Sequence, residues 1–253
     1  MVFLAAATAL ATAAELPCNH LSVPVLVYHR FGPTKADSMT TRTSVFEAQL
    51  AVLKREGYAV IPLRQLLDCR TGTRTTLPAK SVVITADDGH KSVYEDMRPL
   101  ILRDKLPVTL FIYPSAISHA SYAMTWEQLH ELQQTGLFDV QSHTYWHPNF
   151  KQERRRQKPD DYAKFVTMQL QKSKQVLEAR MQKPIDVLAW PFGIYDEDLE
   201  RESAKAGYVA AFTIDAKPSR PGDPMQAIPR YLMVDEMGEK TFMHMLQRAS
   251  EDK

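Results

Sequence analysis

Apolar, β-branched and aromatic residues gather in six short runs along this chain: 23–28, 81–86, 108–113, 138–142, 186–190 and 208–214. Several of them are continuous rather than alternating. That pattern predicts strands covered on both faces, as in a parallel sheet. Longer amphipathic stretches lie between them, at 44–56, 92–105, 125–135, 160–181 and 197–206, and these predict helices. Thr125 with Gln128 three positions on predicts a capping box, and Gly57, Gly136 and Gly207 stand where three helices should stop. The basic run 151–158 and the proline-rich stretch 217–229 read as surface loops. Strands alternating with helices predict a parallel β/α architecture in one domain. In such folds the C-terminal ends of the strands share a rim, where active sites form. The chemically versatile residues follow strand ends: His29, Asp87-Asp88, His143, Pro191-Phe192 and Asp215.

Composition narrows the classes of function. The 253 residues carry 31 Lys+Arg against 30 Asp+Glu, which argues against a nucleic-acid footprint or a polybasic membrane patch. Residues 1–14 are apolar and alanine-rich, without charge, and end near Ala11-Thr12-Ala13. That reads as a signal-peptide-like segment of a secreted or periplasmic protein, with residues 15–253 as the catalytic domain. The run is too short to span a bilayer, and no other segment predicts a transmembrane helix. Cys18 and Cys69 are the two cysteines; an oxidising compartment would let them pair, and two free buried thiols are the alternative.

Two clusters point to metal chemistry. His143 and His147 are four positions apart, which can turn both imidazoles toward one ion. Asp87 and Asp88 end an apolar strand, where adjacent carboxylates are costly unless a cation or hydrogen-bond donors compensate. The alternative role for the aspartates is capping the following helix, but a cap needs one carboxylate, not two. A His-His-Asp set with open positions suits Zn²⁺, with Co²⁺ or Ni²⁺ also accommodated. One carboxylate should then ligate and the other act as base.

These residues resemble the polysaccharide deacetylases with a NodB homology domain, carbohydrate esterase family four. Thr85-Ala86-Asp87-Asp88-Gly89 is similar to that family's T-F-D-D-G motif, and His143-x-x-x-His147 to its second motif. The resemblance runs from about Val23 to Tyr231. It implies a distorted (β/α)₇ barrel, Asp87 as general base, and Asp88, His143 and His147 as metal ligands. Ala189-Trp190-Pro191-Phe192-Gly193 is similar to the third motif, which implies the Phe192 N–H as oxyanion donor. Ala189 stands where that motif has an Arg to orient the base, and Arg230 is the candidate replacement. No L-x-H motif supplies the general acid, since His244 falls in a terminal amphipathic helix. His29, in Val27-Tyr28-His29, takes that role in a branch that includes poly-β-1,6-N-acetylglucosamine deacetylases; a strand-capping histidine is the alternative.

The function expected from these readings is removal of acetyl groups from an N-acetylated polysaccharide, with Tyr145, Trp146, Trp190 and Arg230 as candidate substrate contacts. Asp215 either orients His29 or Arg230 or merely ends its strand. Three rivals use the same residues differently. An O-acetyl esterase needs no acid, because alkoxide leaves more easily than amine. A glycosidase needs a second carboxyl across the bond and no histidine pair. A catalytically silent glycan-binding module fits Ala189, though not the intact Asp87.

Overall fold

The computed structural model describes residues 14–251; the signal-like stretch 1–14 lies, but for its last residue, outside the described residues. Eight parallel strands form the central sheet: β1 (Val25–Tyr28), β2 (Ala59–Val60), β3 (Ser81–Asp87), β4 (Val108–Ile112), β5 (Phe138–Ser142), β6 (Val187–Ala189), β7 (Ala210–Phe212) and β8 (Tyr231–Leu232). Their order is β7-β6-β5-β4-β3-β1-β8, and β2 pairs with the first residues of β3. The sheet curls toward closure: Ile228 bridges Phe212 on the β7 side, and three residues later Tyr231 pairs with Leu26 of β1. This is the parallel β/α architecture that the alternation of strands and helices predicted, curled into the distorted barrel that the family resemblance implied. All six expected strands are present. β2 and β8 were not foreseen, because two residues each are too few to show a period.

Side-chain alternation sorts the strands into an inside and an outside. Val25, Val83, Phe111, Val187, Ala189 and Phe212 belong to the inner cluster. Leu26, Tyr28, Ile84, Leu110, Ile112 and Leu188 face outward and pack with the helices. The helices are α1 (Thr43–Arg55), α2 (Leu63–Arg70), α3 (Arg98–Asp104), α4 (Trp126–Gln134), α5 (Phe150–Arg156), α6 (Pro159–Met181), α7 (Glu197–Lys205) and α8 (Glu239–Glu251). A π-helical turn, Val93–Met97, leads into α3. Each packed helix face follows the helical repeat, as with Phe46, Leu50 and Leu53 of α1. The Thr125/Gln128 capping box forms at α4. Gly57, Gly136 and Gly207 take positive φ where their helices stop.

Two expectations change. Residues 150–156 form α5 rather than a loop: Asn149 accepts from the Gln152 N–H as an N-cap, and Phe150 buries its ring beneath the basic run. Cys18 and Cys69, left open by the sequence, form a disulfide that ties the start of the described chain to α2. Among the described residues no helix is long and apolar enough to cross a membrane.

Candidate metal centre and active site

β3 delivers the first two groups. Asp87 follows Val83 and Thr85 in alternation and so points into the barrel, where it is buried. An unbroken extended chain would send Asp88 to the outside. Instead its backbone turns left-handed (φ 74°), as does Gly89 (φ 74°), and Asp88 comes round to the same rim. A Cβ on Gly89 would press on Ile117 and Ile112 at 3.0 and 3.1 Å. The left-handed turn favours glycine, and a side chain there would also have to push both isoleucine methyls aside.

β5 delivers the histidines. His143 follows Ser142, and its N–H donates to the Ile112 carbonyl (2.8 Å). Its Nδ1 lies 2.8 Å from the Ala189 carbonyl, which fixes the ring with Nδ1 protonated and the Nε2 lone pair facing the site. Thr144 (φ 64°) and His147 (φ 61°) are left-handed, and this folds the His-x-x-x-His segment into a tight loop rather than a helical turn. The two imidazole centroids come within 4.7 Å. Burial lowers the pKa of His143 to about 3 and that of His147 to about 4, so both are neutral imidazoles with a lone pair to offer.

One oxygen lies between them. Asp88 Oδ1 is 3.6 Å from His143 Nε2 and 3.6 Å from His147 Nε2. It is buried and has no hydrogen-bond partner among the described residues. Burial raises the pKa of Asp88, and the adjacent Asp87 charge adds to this against the pull of His29. An unpartnered carboxylate oxygen facing two neutral ring nitrogens is a donor set suited to a cation. Ligands about 2.0–2.1 Å from a tetrahedral Zn²⁺ are separated by roughly 3.3–3.4 Å, close to these spacings. Asp88, His143 and His147 thus fit a divalent metal, and they form a group among the described residues that could hold one.

Asp87 meets the opposite situation. Arg230 reaches it from inside the barrel in a two-pronged ion pair, Nη1 to Oδ1 at 2.8 Å and Nη2 to Oδ2 at 2.7 Å. Arg230 is itself fully buried; it donates to the Thr213 carbonyl and to Thr85 Oγ1, and lies over the Phe111 ring. Burial would raise the pKa of Asp87, yet the Arg230 charge and the Arg230 hydrogen bonds hold it below the ordinary carboxylate value. Asp87 Oδ2 is 3.8 Å from His143 Nε2. The charged carboxylate therefore stands beside the three potential ligands.

These groups open on a pocket of about 380 Å³, with His29, Tyr113 and Phe192 on its walls. His29 Nδ1 is buried without a partner among the described residues. Phe192 takes a left-handed backbone (φ 57°); its side chain is exposed and its ring lies 4.5 Å from that of His147, tilted by 56°. Tyr113, not foreseen from the sequence, lies 5.3 Å from the His147 ring. It ends a predicted strand, but an aromatic there is no different from any wall residue until the histidine loop folds beside it.

The expected substrate contacts divide. Arg230 is walled off behind Asp87 and cannot touch a sugar. Trp190 has no exposed ring: it donates from Nε1 to the Gln226 carbonyl and packs on Phe150, so it supports the pocket floor rather than stacking on substrate. Tyr145 pairs with Lys172, and the exposed Trp146 edges against Phe165; neither lines the pocket. Asp215 accepts from Tyr195 and Thr213 and bonds neither His29 nor Arg230. His244 is exposed on α8.

Comparison with known proteins identifies the family. Residues 74–211, more than half of the chain, match the model of the polysaccharide deacetylase family. The chain belongs to that family of hydrolases. His29 and Arg230 lie outside the matched stretch, which carries both aspartates and both histidines. Among curated relatives, the poly-beta-1,6-N-acetyl-D-glucosamine N-deacetylase of Staphylococcus aureus strain MRSA252 is 25% identical over 209 residues, covering 81% of this chain and 70% of the relative. A protein of the same description from Escherichia coli K12 is 24% identical over 90% of this chain, but over 39% of its own length. The fold is shared with the Streptococcus pyogenes deacetylase PplD (TM-score 0.78, 21% identity, 89% of this chain and 98% of that one). IcaB from Ammonifex degensii shares it as well (TM-score 0.77, 24% identity, 90% and 97%).

Proposed function

We propose that this family member is a metal-dependent N-deacetylase of a poly-N-acetylglucosamine-type polysaccharide. One observation carries the reading: the orphaned Asp88 oxygen faces two neutral imidazoles, directly beside an aspartate kept ionised by Arg230. The similarity to proteins described as poly-beta-1,6-N-acetyl-D-glucosamine N-deacetylases supports the choice of substrate.

In this reading Asp88, His143 and His147 hold the ion, Zn²⁺ by preference, with Co²⁺ or Ni²⁺ as substitutes. A divalent ion there would polarise the acetyl carbonyl and acidify water. Asp87 takes the water's proton as the oxygen attacks the carbonyl carbon; Arg230 keeps the carboxylate ionised and aims it. The Phe192 N–H donates to the developing oxyanion, a contribution that typically changes rate a hundredfold or more. His29 delivers a proton to the departing amine, so acetate and a free amino group result. Tyr113 and Phe192 both pack near the His147 ring and shape the acetyl site.

We also propose export. The apolar run 1–14 and the Cys18–Cys69 disulfide both suit an oxidising compartment outside the cytosol, where such a polymer is met.

Acetate release from β-1,6-linked and β-1,4-linked N-acetylglucosamine oligomers and from acetylxylan is the direct test, run with chelator and with Zn²⁺, Co²⁺ or Ni²⁺ restored. The expected result is release from the β-1,6 oligomers, lost on chelation and recovered with metal. Turnover of acetylxylan alone would favour the O-acetyl esterase, and chelator-resistant turnover would sink the metal reading.

A further inference from the structure

The loop carrying His143 and His147 places two non-glycine residues, Thr144 and His147, in left-handed backbone. Such conformations persist only where the surroundings over-determine them. Here the surroundings include one face of α6. Gln169 and Ser173, four positions apart, are fully buried in a stripe otherwise formed by Val166, Leu170 and Leu177. An amide and a hydroxyl in an apolar stripe are costly unless each finds a partner. Both do, at opposite ends of the ligand loop. Ser173 shares a hydrogen bond with Ser142 (2.8 Å), whose hydroxyl also accepts from Tyr208 (2.9 Å) and from the Thr144 N–H (3.3 Å). Gln169 Oε1 accepts from the Trp146 N–H (3.1 Å), one residue before His147.

The two histidines are thus fixed differently. His143 is held directly, through its own N–H and Nδ1 on two strand carbonyls. At the His147 end, the Tyr145–Trp146 peptide is held on both sides, its N–H by Gln169 of α6 and its carbonyl by the Ser115 N–H (3.1 Å), while Tyr113 and Phe192 limit the ring by packing. We propose that Gln169 is a positioning residue for His147: by holding the Trp146 peptide it sets the left-handed turn that aims the imidazole, and so sets the affinity for a divalent ion. It touches neither ion nor substrate. This inference rests on the metal-centre reading above.

The test is a Co²⁺ titration of metal-free wild type, Gln169→Leu and Gln169→Glu, followed by visible ligand-field absorption, with far-UV circular dichroism of the same samples. Leucine removes the acceptor at similar bulk, whereas glutamate keeps an oxygen at the same reach. Outer-shell changes of this kind typically weaken metal binding by 10–100-fold, so Gln169→Leu should bind at least about tenfold more weakly with a shifted band, and Gln169→Glu within about threefold of wild type. Wild-type affinity and band in Gln169→Leu would overturn the proposal, as would equal loss in both variants. Wild type that takes up no Co²⁺ would instead remove the metal centre itself, so the two failures can be told apart. Should Gln169→Leu not fold, amide hydrogen exchange on the wild type decides: the Trp146 N–H must be protected, and free exchange from the folded protein refutes the bond.

Discussion

At Asp87 and Asp88, two neighbouring carboxyls meet opposite surroundings, and their substitutions should separate accordingly. Asp87→Asn is expected to retain the ion, measured by equilibrium dialysis, while losing two or more orders of magnitude in turnover, a typical general-base effect. Asp88→Ala is expected to lose the ion itself. Arg230→Met leaves a buried aspartate without its counter-charge; breaking such a pair costs about 3–5 kcal/mol, readable as a fall in urea midpoint, besides misdirecting the base. Wild-type turnover by Asp87→Asn would refute the division of labour between the carboxyls. The aspartate pair and the His-x-x-x-His spacing were readable in the sequence because neighbours in the chain stay neighbours in space. The partnership of Arg230 with Asp87 was open there, since 143 positions separate them and only the barrel brings them together.

At the scale of elements, the site is built where strands stop being extended. Asp88, Thr144, His147 and Phe192 are all left-handed non-glycine residues, clustered on one rim. That concentration marks backbone constrained for function. Gly193 closes the same turn at φ 64°, and a Cβ there would run into the Ile214 side chain and lie 3.1 Å from its backbone nitrogen. Gly193→Ala should therefore cost about 1–3 kcal/mol, or more if the turn cannot relax, and lower the melting temperature measurably. By contrast Thr125→Ala, which removes the α4 cap at a residue that does not line the pocket, should cost about 1 kcal/mol and leave metal affinity unchanged. The capping box could be read from two residues; α5 could not. Its basic run looked like a solvated loop because the anchor, Phe150, is a single apolar residue whose partners Phe165 and Trp190 come from elsewhere.

For the molecule as a whole, the proposed ion should act as a staple between β3 and the loop after β5. A ligand that binds only the native state stabilises by about 2.7 kcal/mol at a hundred times its Kd. For a domain of this size that corresponds to roughly 5–10 °C in melting temperature, so Zn²⁺ added to chelated protein should raise Tm by that order, and Asp88→Ala should abolish the rise. The disulfide spans 51 positions; replacing both Cys18 and Cys69 with serine should cost about 2–4 kcal/mol without altering the ion's affinity.

The sequence by itself determined the six foreseen strands, the placement of reactive residues after their ends, and the Asp-Asp and His-x-x-x-His motifs, because each is encoded over a few consecutive residues. Tertiary structure decided the rest. It withdrew Trp190 and Arg230 from substrate by burying them, paired the two cysteines, and let Gln169 and Ser173 of α6 grip the histidine loop. Those outcomes depend on which distant segments meet inside the barrel, and distance in space is what a linear pattern of polar and apolar residues does not record.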